Sequence, residues 1–278
     1  MSDEYLATAF ADVDRAENSD CYSRCLSLLD SLPYFKEYKQ KTYELLELGP
    51  HERVLEAGCG LGDDAFRMAE LVRPDGFVVG MDSSAKLVSK AKSDKRSAAL
   101  PVEFHVGDLR KLPFSDQTFT RCRIDRVLQH IPDCQVAISE LVRVLRPRGI
   151  LLAYDNDWGT FSITSEDKRI TRLLENAWCD SFANSWIGRE LPRYFDDAGL
   201  VDVMIYPSVS LISDFETADS VYDLTKTAQR AIAARDISEI EASQWLAALR
   251  ARAQSGSFSA ALTAYTVVGR KPLWAINA

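Results

Sequence analysis

The sequence predicts an α/β fold: a doubly wound sheet of about seven strands with helical insertions at its N-terminal and C-terminal ends. Three observations carry that expectation. Between residues 52 and 156, short β-branched runs alternate with helical patterns, as a sheet with crossover helices requires. A glycine-rich loop, Gly58-Cys-Gly-Leu-Gly62, separates the first such run from the first helix of that region. Acidic residues then close the next two strand regions, at Asp82 and Asp108.

Taken in order, residues 1–50 read as helical and carry Tyr22, Tyr34, Phe35, Tyr38 and Tyr43. Arg53–Ala57 is the first strand, closed by Gly58. A helix over Asp63–Val72 turns Phe66, Ala69 and Leu71 inward, and Pro74-Asp75-Gly76 ends it. Phe77–Met81 is the second strand. Ser84–Lys95 is a helix with Leu87, Val88 and Ala91 inward and Ser83 or Ser84 as cap. Val102–Val106 and Phe119–Ile124 are the third and fourth strands. A helix over Asp133–Leu145 stops at Pro147-Arg-Gly149, and Ile150–Tyr154 is the fifth strand.

Residues 165–199 read as two helices, with strands at Val201–Tyr206 and Thr263–Gly269. The segment between those strands is largely helical, and Ser238 with Glu241 has capping-box spacing. A plain crossover needs only about a dozen residues, so the excess predicts a cap over the C-terminal edge of the sheet. The expected organisation is an N-terminal helical cap (1–50), a core (51–206), a helical cap insertion (207–258), and a last strand with its tail (259–278).

A net charge of −8 on 278 residues disfavours a dedicated nucleic-acid binder. No apolar run reaches the length of a membrane span. The start, Met1-Ser-Asp-Glu-Tyr5, lacks the basic and apolar parts of a signal peptide, so the expected location is the cytoplasm. The six cysteines include no C-x-x-C pair, and three histidines offer no metal-ligand spacing. Reduced, mostly buried thiols and no metal are expected. Oligomeric state is open.

Glycine is needed where backbone must bend sharply and approach a ligand closely. The helix start behind the loop adds free N–H groups and a positive dipole end. A dinucleotide fingerprint beginning at Gly58 would need glycine at position 63, which is Asp63, and an acid there repels a pyrophosphate. The pattern present, Glu56-Ala-Gly-Cys-Gly-Leu-Gly62, suits a ligand bearing an ammonium and a sulfonium. Asp82 is placed to accept two ribose hydroxyls, and Asp108 to accept an adenine amino group. That combination describes S-adenosylmethionine (SAM).

Val54–Gly62, Gly80-Met-Asp-Ser-Ser84, Gly107-Asp-Leu-Arg-Lys-Leu-Pro-Phe114 and Leu141–Gly149 resemble the class I SAM-dependent methyltransferase superfamily, in particular its ubiquinone/menaquinone-biosynthesis-like branch. The resemblance spans residues 52–156. It implies a Rossmann-like sheet whose final strand, Thr263–Gly269, runs antiparallel and is inserted at the sheet edge. It further implies that Glu56, Gly58, Cys59 and Gly60 line the methionine side, Asp82 and Ser83 the ribose, and Gly107, Asp108 and Leu109 the adenine. Asp125 or Arg126 falls where the branch touches the methionine moiety. The fourth strand departs from the branch, because Arg121-Cys-Arg-Ile-Asp-Arg126 carries arginines where apolar residues are usual. Arg121 and Arg123 either hold an acidic group at the strand end or form a structural ion-pair network.

His130 is the one histidine expected beside the pocket, as a base for the acceptor or as a packed helix-start residue. Asp157, in Asp155-Asn-Asp-Trp158, could orient an acceptor or cap a turn. Trp178, Phe182 and Trp186 could form an apolar lid, Arg189 could meet an acidic substrate, and Tyr22 and Lys41 could close over the cofactor. The expected function is methyl transfer to an O, N or C nucleophile of a small, largely apolar metabolite. The alternatives are a SAM-binding protein without methyl transfer and a methyltransferase acting on a macromolecule.

Overall fold

Apolar side chains on both pleats of the strands bury the sheet on two faces. Along β1 (Arg53–Ala57), Val54 packs with one helical layer and Leu55 with the other; in β2 (Phe77–Asp82), Val78 and Val79 divide the same way. The remaining strands are β3 (Val102–Val106), β4 (Phe119–Asp125), β5 (Leu145–Ile163), β6 (Val201–Ile212) and β7 (Ala260–Arg270). This computed structural model describes residues 5–15 and 20–273. Residues 1–4, 16–19 and 274–278 lie outside the described residues, and with them the acidic N-terminal start and the last part of the predicted tail.

The helices are α1 (Leu6–Ala9), α2 (Asp20–Ser31), α3 (Pro33–Leu45), α4 (Asp63–Leu71), α5 (Ala85–Ser93), α6 (Arg96–Ala99), α7 (Cys134–Val144), α8 (Lys168–Cys179), α9 (Ile187–Asp197), α10 (Phe215–Tyr222), α11 (Leu224–Ala233) and α12 (Glu239–Gln254). Helices α4 and α5 and the end of α3 cover the Val54 and Val78 face, and α7 and α9 cover the other. Ser84 caps α5, its side chain accepting from Leu87 N–H, and the capping box of Ser238 and Glu241 opens α12.

The strand order is β3-β2-β1-β4-β5-β7-β6. Strands β1 to β5 pair in parallel, and β7 is antiparallel to both β5 and β6. The antiparallel strand therefore stands one place in from the edge, and β6 is the edge strand. Strand β5 is much longer than the predicted Ile150–Tyr154. Its polar stretch Asp155-Asn-Asp157 continues the ladder opposite Tyr265, Ala264 and Thr263, and lies buried. The predicted helix Ser84–Lys95 ends at Ser93 as α5, and a separate short helix, α6, follows from Arg96.

The order in which successive strands are added reverses between the parallel neighbours β1 and β4, so a crevice opens at their C-terminal ends. Over it lies a third, aromatic-rich cluster built from the N-terminal helices, α8, α10–α12 and the far ends of β5 and β7.

Candidate functional site

The loop after β1 is shaped by left-handed backbone. Gly58 has φ 78° and Gly60 φ 51°, values that side-chain-bearing residues rarely adopt. A Cβ on Gly58 would lie 2.1 Å from Val127 Cγ2, so the loop after β4 also requires glycine there. Gly58 and Cys59 N–H both donate to Met81 O, at 2.7 and 3.0 Å, which pins the loop to the end of β2. Gly60 N–H donates to Asp82 Oδ2 at 2.8 Å, and Ser84 N–H to Oδ1 at 2.9 Å. Asp82 thereby organises both the glycine loop and the start of α5.

A cavity of about 620 Å³ occupies the crevice. Gly58, Gly60, Asp82 and Ser83 line it, as do Gly107, Asp108 and Leu109 after β3 and Asp125 and Arg126 after β4. Burial raises the Asp82 carboxyl above its ordinary pKa. Asp108 is half exposed, and Arg110 at 2.7 Å holds its carboxyl below the usual range. Nine of the predicted cofactor residues converge here. Glu56 and Cys59 do not line the cavity, although both adjoin it.

Glu56 lies behind the loop in a buried ion cluster. The guanidinium of Arg123, fully buried, reaches Glu56 at 2.5 Å, Asp125 at 2.6 Å and Asp64 at 3.6 Å, and donates to Thr42 Oγ1 at 3.0 Å. Lys39 reaches Asp64 at 2.9 Å and Asp30 at 3.3 Å, and Arg67 reaches Asp30 at 2.6 Å. Arg123 is thus a structural hub joining α3, α4, β1 and β4. Arg121 is likewise spoken for, by Glu52 at 2.9 Å and the carbonyl of Leu46. Burial pushes Glu56 toward its neutral form and leaves its Oε2 without a hydrogen bond. Against the same desolvation, Arg123 and Lys39 hold Asp64 below its ordinary pKa.

Cys59 is buried, and burial raises its thiol pKa. Cys122, Cys134 and Cys179 are also buried and free, and Cys25 is buried; the Cys21 side chain lies outside the described set.

A second, smaller chamber of about 60 Å³ adjoins the first, and Phe10, Leu29, Arg126, Gln129 and His130 belong to both walls. Its far wall is aromatic: Trp158 stacks on Phe182 with centroids 4.6 Å apart, and Trp178 meets both edge-on. His130 sits between Phe10 and Phe182, and Gln129 Nε2 lies 3.0 Å from its Nε2. Burial first, and then the Arg126 cation, push its pKa down to about 4, so the ring is neutral and weakly basic. Of the aromatic residues expected in the lid, Trp178 and Phe182 line this chamber. Trp186 is exposed and stacks with Arg189. Tyr22 is buried against Phe10, and Lys41 pairs with Glu44 at the surface.

Asp157 lies elsewhere. It lines neither cavity, and Arg189 grips its two oxygens at 2.6 and 2.7 Å, which also accounts for Arg189. Asp155 is buried, accepts from Asn156 N–H and Gln129 N–H, and is pushed up to about 7 by burial. A carboxyl with a raised folded pKa stabilises the fold at low pH and loses that contribution as pH rises through its folded value. His130, lowered from 6.5, acts in the opposite sense only below its ordinary pKa. Urea unfolding should therefore show stability falling between about pH 6.5 and about pH 8.5, and Asp155→Asn should lessen that fall by roughly 1 kcal/mol. An unchanged slope would place the titrating group elsewhere.

Sequence reasoning missed the strap over the cavity. Phe10 and Val13 line it, and Asp14 accepts from Ser84 Oγ at 2.6 Å and Ala85 N–H at 2.8 Å, adding a carboxylate at the start of α5. The other end of the strap is tied to the C-terminal insertion, where Tyr5 OH meets Thr227 and Leu6 N–H donates to Asp223. Gln129 was missed too; its Oε1 accepts from Trp158 Nε1 at 2.9 Å, behind the shared wall. Among the described residues, no helix is long and apolar enough to cross a membrane.

Comparison with known proteins adds family evidence. A family model described as a methyltransferase domain matches residues 48–199. An uncharacterized 37.1 kDa protein in transposon TN4556 of Streptomyces fradiae is 36% identical over 237 residues, covering 84% of this chain and 67% of that one. A demethylmenaquinone methyltransferase of Bacillus cytotoxicus is 28% identical over 205 residues, covering 68% and 86%. Among solved structures, the YcgJ protein from Bacillus subtilis matches with TM-score 0.62 at 20% identity, over 85% of this chain and 99% of that one. A putative methyltransferase from Bacillus halodurans C-125 matches with TM-score 0.59 at 21% identity, over 84% and 98%.

Proposed function

The chain belongs to the class I SAM-dependent methyltransferases, and on that premise we propose that it methylates a small, largely apolar metabolite bound where the large cavity meets the aromatic chamber. The observation that carries this reading is the shared wall: the donor-sized cavity and the apolar chamber meet at Arg126, Gln129 and His130. A site of this kind isolates a reaction from water and fixes the approach of its partners. The similarity to a demethylmenaquinone methyltransferase supports a small acceptor.

In this reading Asp82 and Ser83 hold the ribose, and Gly107, Asp108 and Leu109 enclose the adenine. Gly58, Gly60 and Asp125 form the methionine end, and Arg126 stands on the wall that this end shares with the aromatic chamber. SAM supplies a methyl group activated on a sulfonium. Glu56 and Cys59 support the loop from behind without touching ligand. The neutral imidazole of His130, whose Nε2 accepts from Gln129 Nε2, donates its Nδ1–H toward the acceptor and orients it; Asp157 has no part in the chemistry.

Incubation with methyl-labelled SAM and a metabolite extract tests the reading. The expected result is label in a small organic-soluble product, with S-adenosylhomocysteine formed in equal amount. Label appearing only in protein or nucleic acid would overturn it, as would tight SAM binding without turnover across varied extracts.

A further inference from the structure

The chamber wall carries one full charge, Arg126, which its surroundings keep cationic although it is buried. Arg126 has φ 56°, and its N–H donates to Tyr154 O at 2.8 Å. The guanidinium lies 5.0 Å from the Phe35 ring centroid. Its ion pair is a long one, Nε to Asp125 Oδ1 at 3.3 Å. Asp125 is already taken: Arg123 holds Oδ2 at 2.6 Å and Tyr38 OH donates to the same carboxylate at 3.2 Å. Among the described residues, no hydrogen bond reaches the terminal nitrogens of Arg126.

No carboxylate lines the chamber, and the His130 ring there is neutral. A protonated amine would enter a desolvated space beside a cation and find no counter-charge. The donor's sulfonium would bring a second positive charge to the same junction. An anion at that junction is favoured by both cations. The far wall adds a second requirement. Trp178 Nε1 is buried there without a hydrogen-bond partner, whereas the Ser210 and Tyr222 hydroxyls face each other, and an indole N–H can only donate. That wall fits an oxygen on the distal side of the ligand.

We propose that Arg126 selects the methyl acceptor by charge, so that the chamber takes a planar ionised phenol or enol and rejects amines. The oxyanion lies at Arg126, and a distal oxygen accepts from Trp178 Nε1. The acceptor loses its O–H proton to water as it binds, because His130 is too weak a base to take it. The oxyanion lone pair then forms the new carbon–oxygen bond, and the carbon–sulfur bonding pair returns to sulfur, leaving a neutral thioether. The inference rests on the methyl-transfer reading above.

A chromogenic pair of probes tests it on the full-length protein saturated with S-adenosylhomocysteine. The phenolate of 4-nitrophenol absorbs in the visible, so its ionisation is read directly when bound. Binding to the wild type should favour the phenolate by about tenfold or more, an apparent pKa lowered by about one unit. Arg126→Met should abolish that shift, and Arg126→Lys should keep part of it. The cation 4-nitrobenzylamine should bind the wild type at least about tenfold more weakly than 4-nitrophenol. Absence of the shift, equal binding of the two probes, or no saturable probe binding overturns the proposal. If Arg126→Met does not fold, the Lys variant and the wild-type probe comparison decide the matter. Calorimetry on the same samples separates the two readings. Arg126→Met should change cofactor affinity less than about threefold, and a loss above about tenfold assigns Arg126 to the cofactor and overturns the proposal. A wild type that binds no SAM fails the methyltransferase reading itself, whatever the probes do.

Discussion

Asp82→Ala should weaken SAM binding by on the order of a hundredfold or more, from the loss of charged hydrogen bonds contributing about 1.5–3 kcal/mol each. In the proposed site the carboxylate accepts the two ribose hydroxyls. It already accepts the N–H groups of Gly60 and Ser84, so its removal also unties the glycine loop from α5. The loss should therefore exceed that of the ribose contacts alone. Asp82→Asn separates the two contributions, because an amide retains one acceptor oxygen but places two donors where donors already point. Titration calorimetry should give wild type tightest, Asn intermediate and Ala weakest, with little change in unfolding midpoint for Asn. Undiminished affinity in the Ala variant would overturn the assignment of the ribose site.

The second large effect lies behind the site. Arg123→Met should destabilise the fold by about 3–5 kcal/mol, the usual consequence of removing one partner from a buried ion pair. Three carboxylates, Glu56, Asp64 and Asp125, lose their shared cation, and Lys39 reaches only Asp64 among them. Total stabilities of single domains are about 5–15 kcal/mol, so this is a large fraction. Glu56→Gln should behave differently and cost under about 1 kcal/mol, because burial already favours the uncharged carboxyl and an amide preserves its acceptor toward Arg123. Urea denaturation of both variants at one pH is the measurement. Equal losses would mean that Glu56 is ionised in the folded protein and that the cluster balances differently.

The parts of this molecule legible in its sequence are those governed by neighbours along the chain. The loop Gly58–Gly62 was readable because φ above zero and close approach restrict the choice to glycine over a few residues. Asp82 and Asp108 followed because a strand end fixes where the next side chain points. The strands themselves were readable from β-branched runs, except where β5 continues through Asp155-Asn-Asp157. Polarity there argues against a strand, and only pairing with β7 from a hundred residues later buries it.

What stayed hidden depends on distant partners. Arg123 meets Glu56 across 67 residues and Thr42 across 81, so its choice of network over substrate had no local signal. Asp157 looked like a ligand-edge acid until Arg189, 32 residues on, claimed it. The link from Asp14 to Ser84 spans 70 residues, and nothing around Phe10 or Val13 marks them as cavity walls.

Phe10 belongs to the walls of both cavities. The strap that carries it is moored at one end to the start of α5 and at the other to α11 and the residue before it. One segment thus walls both spaces, and the contacts of Asp14 and Asp223 hold it in that place.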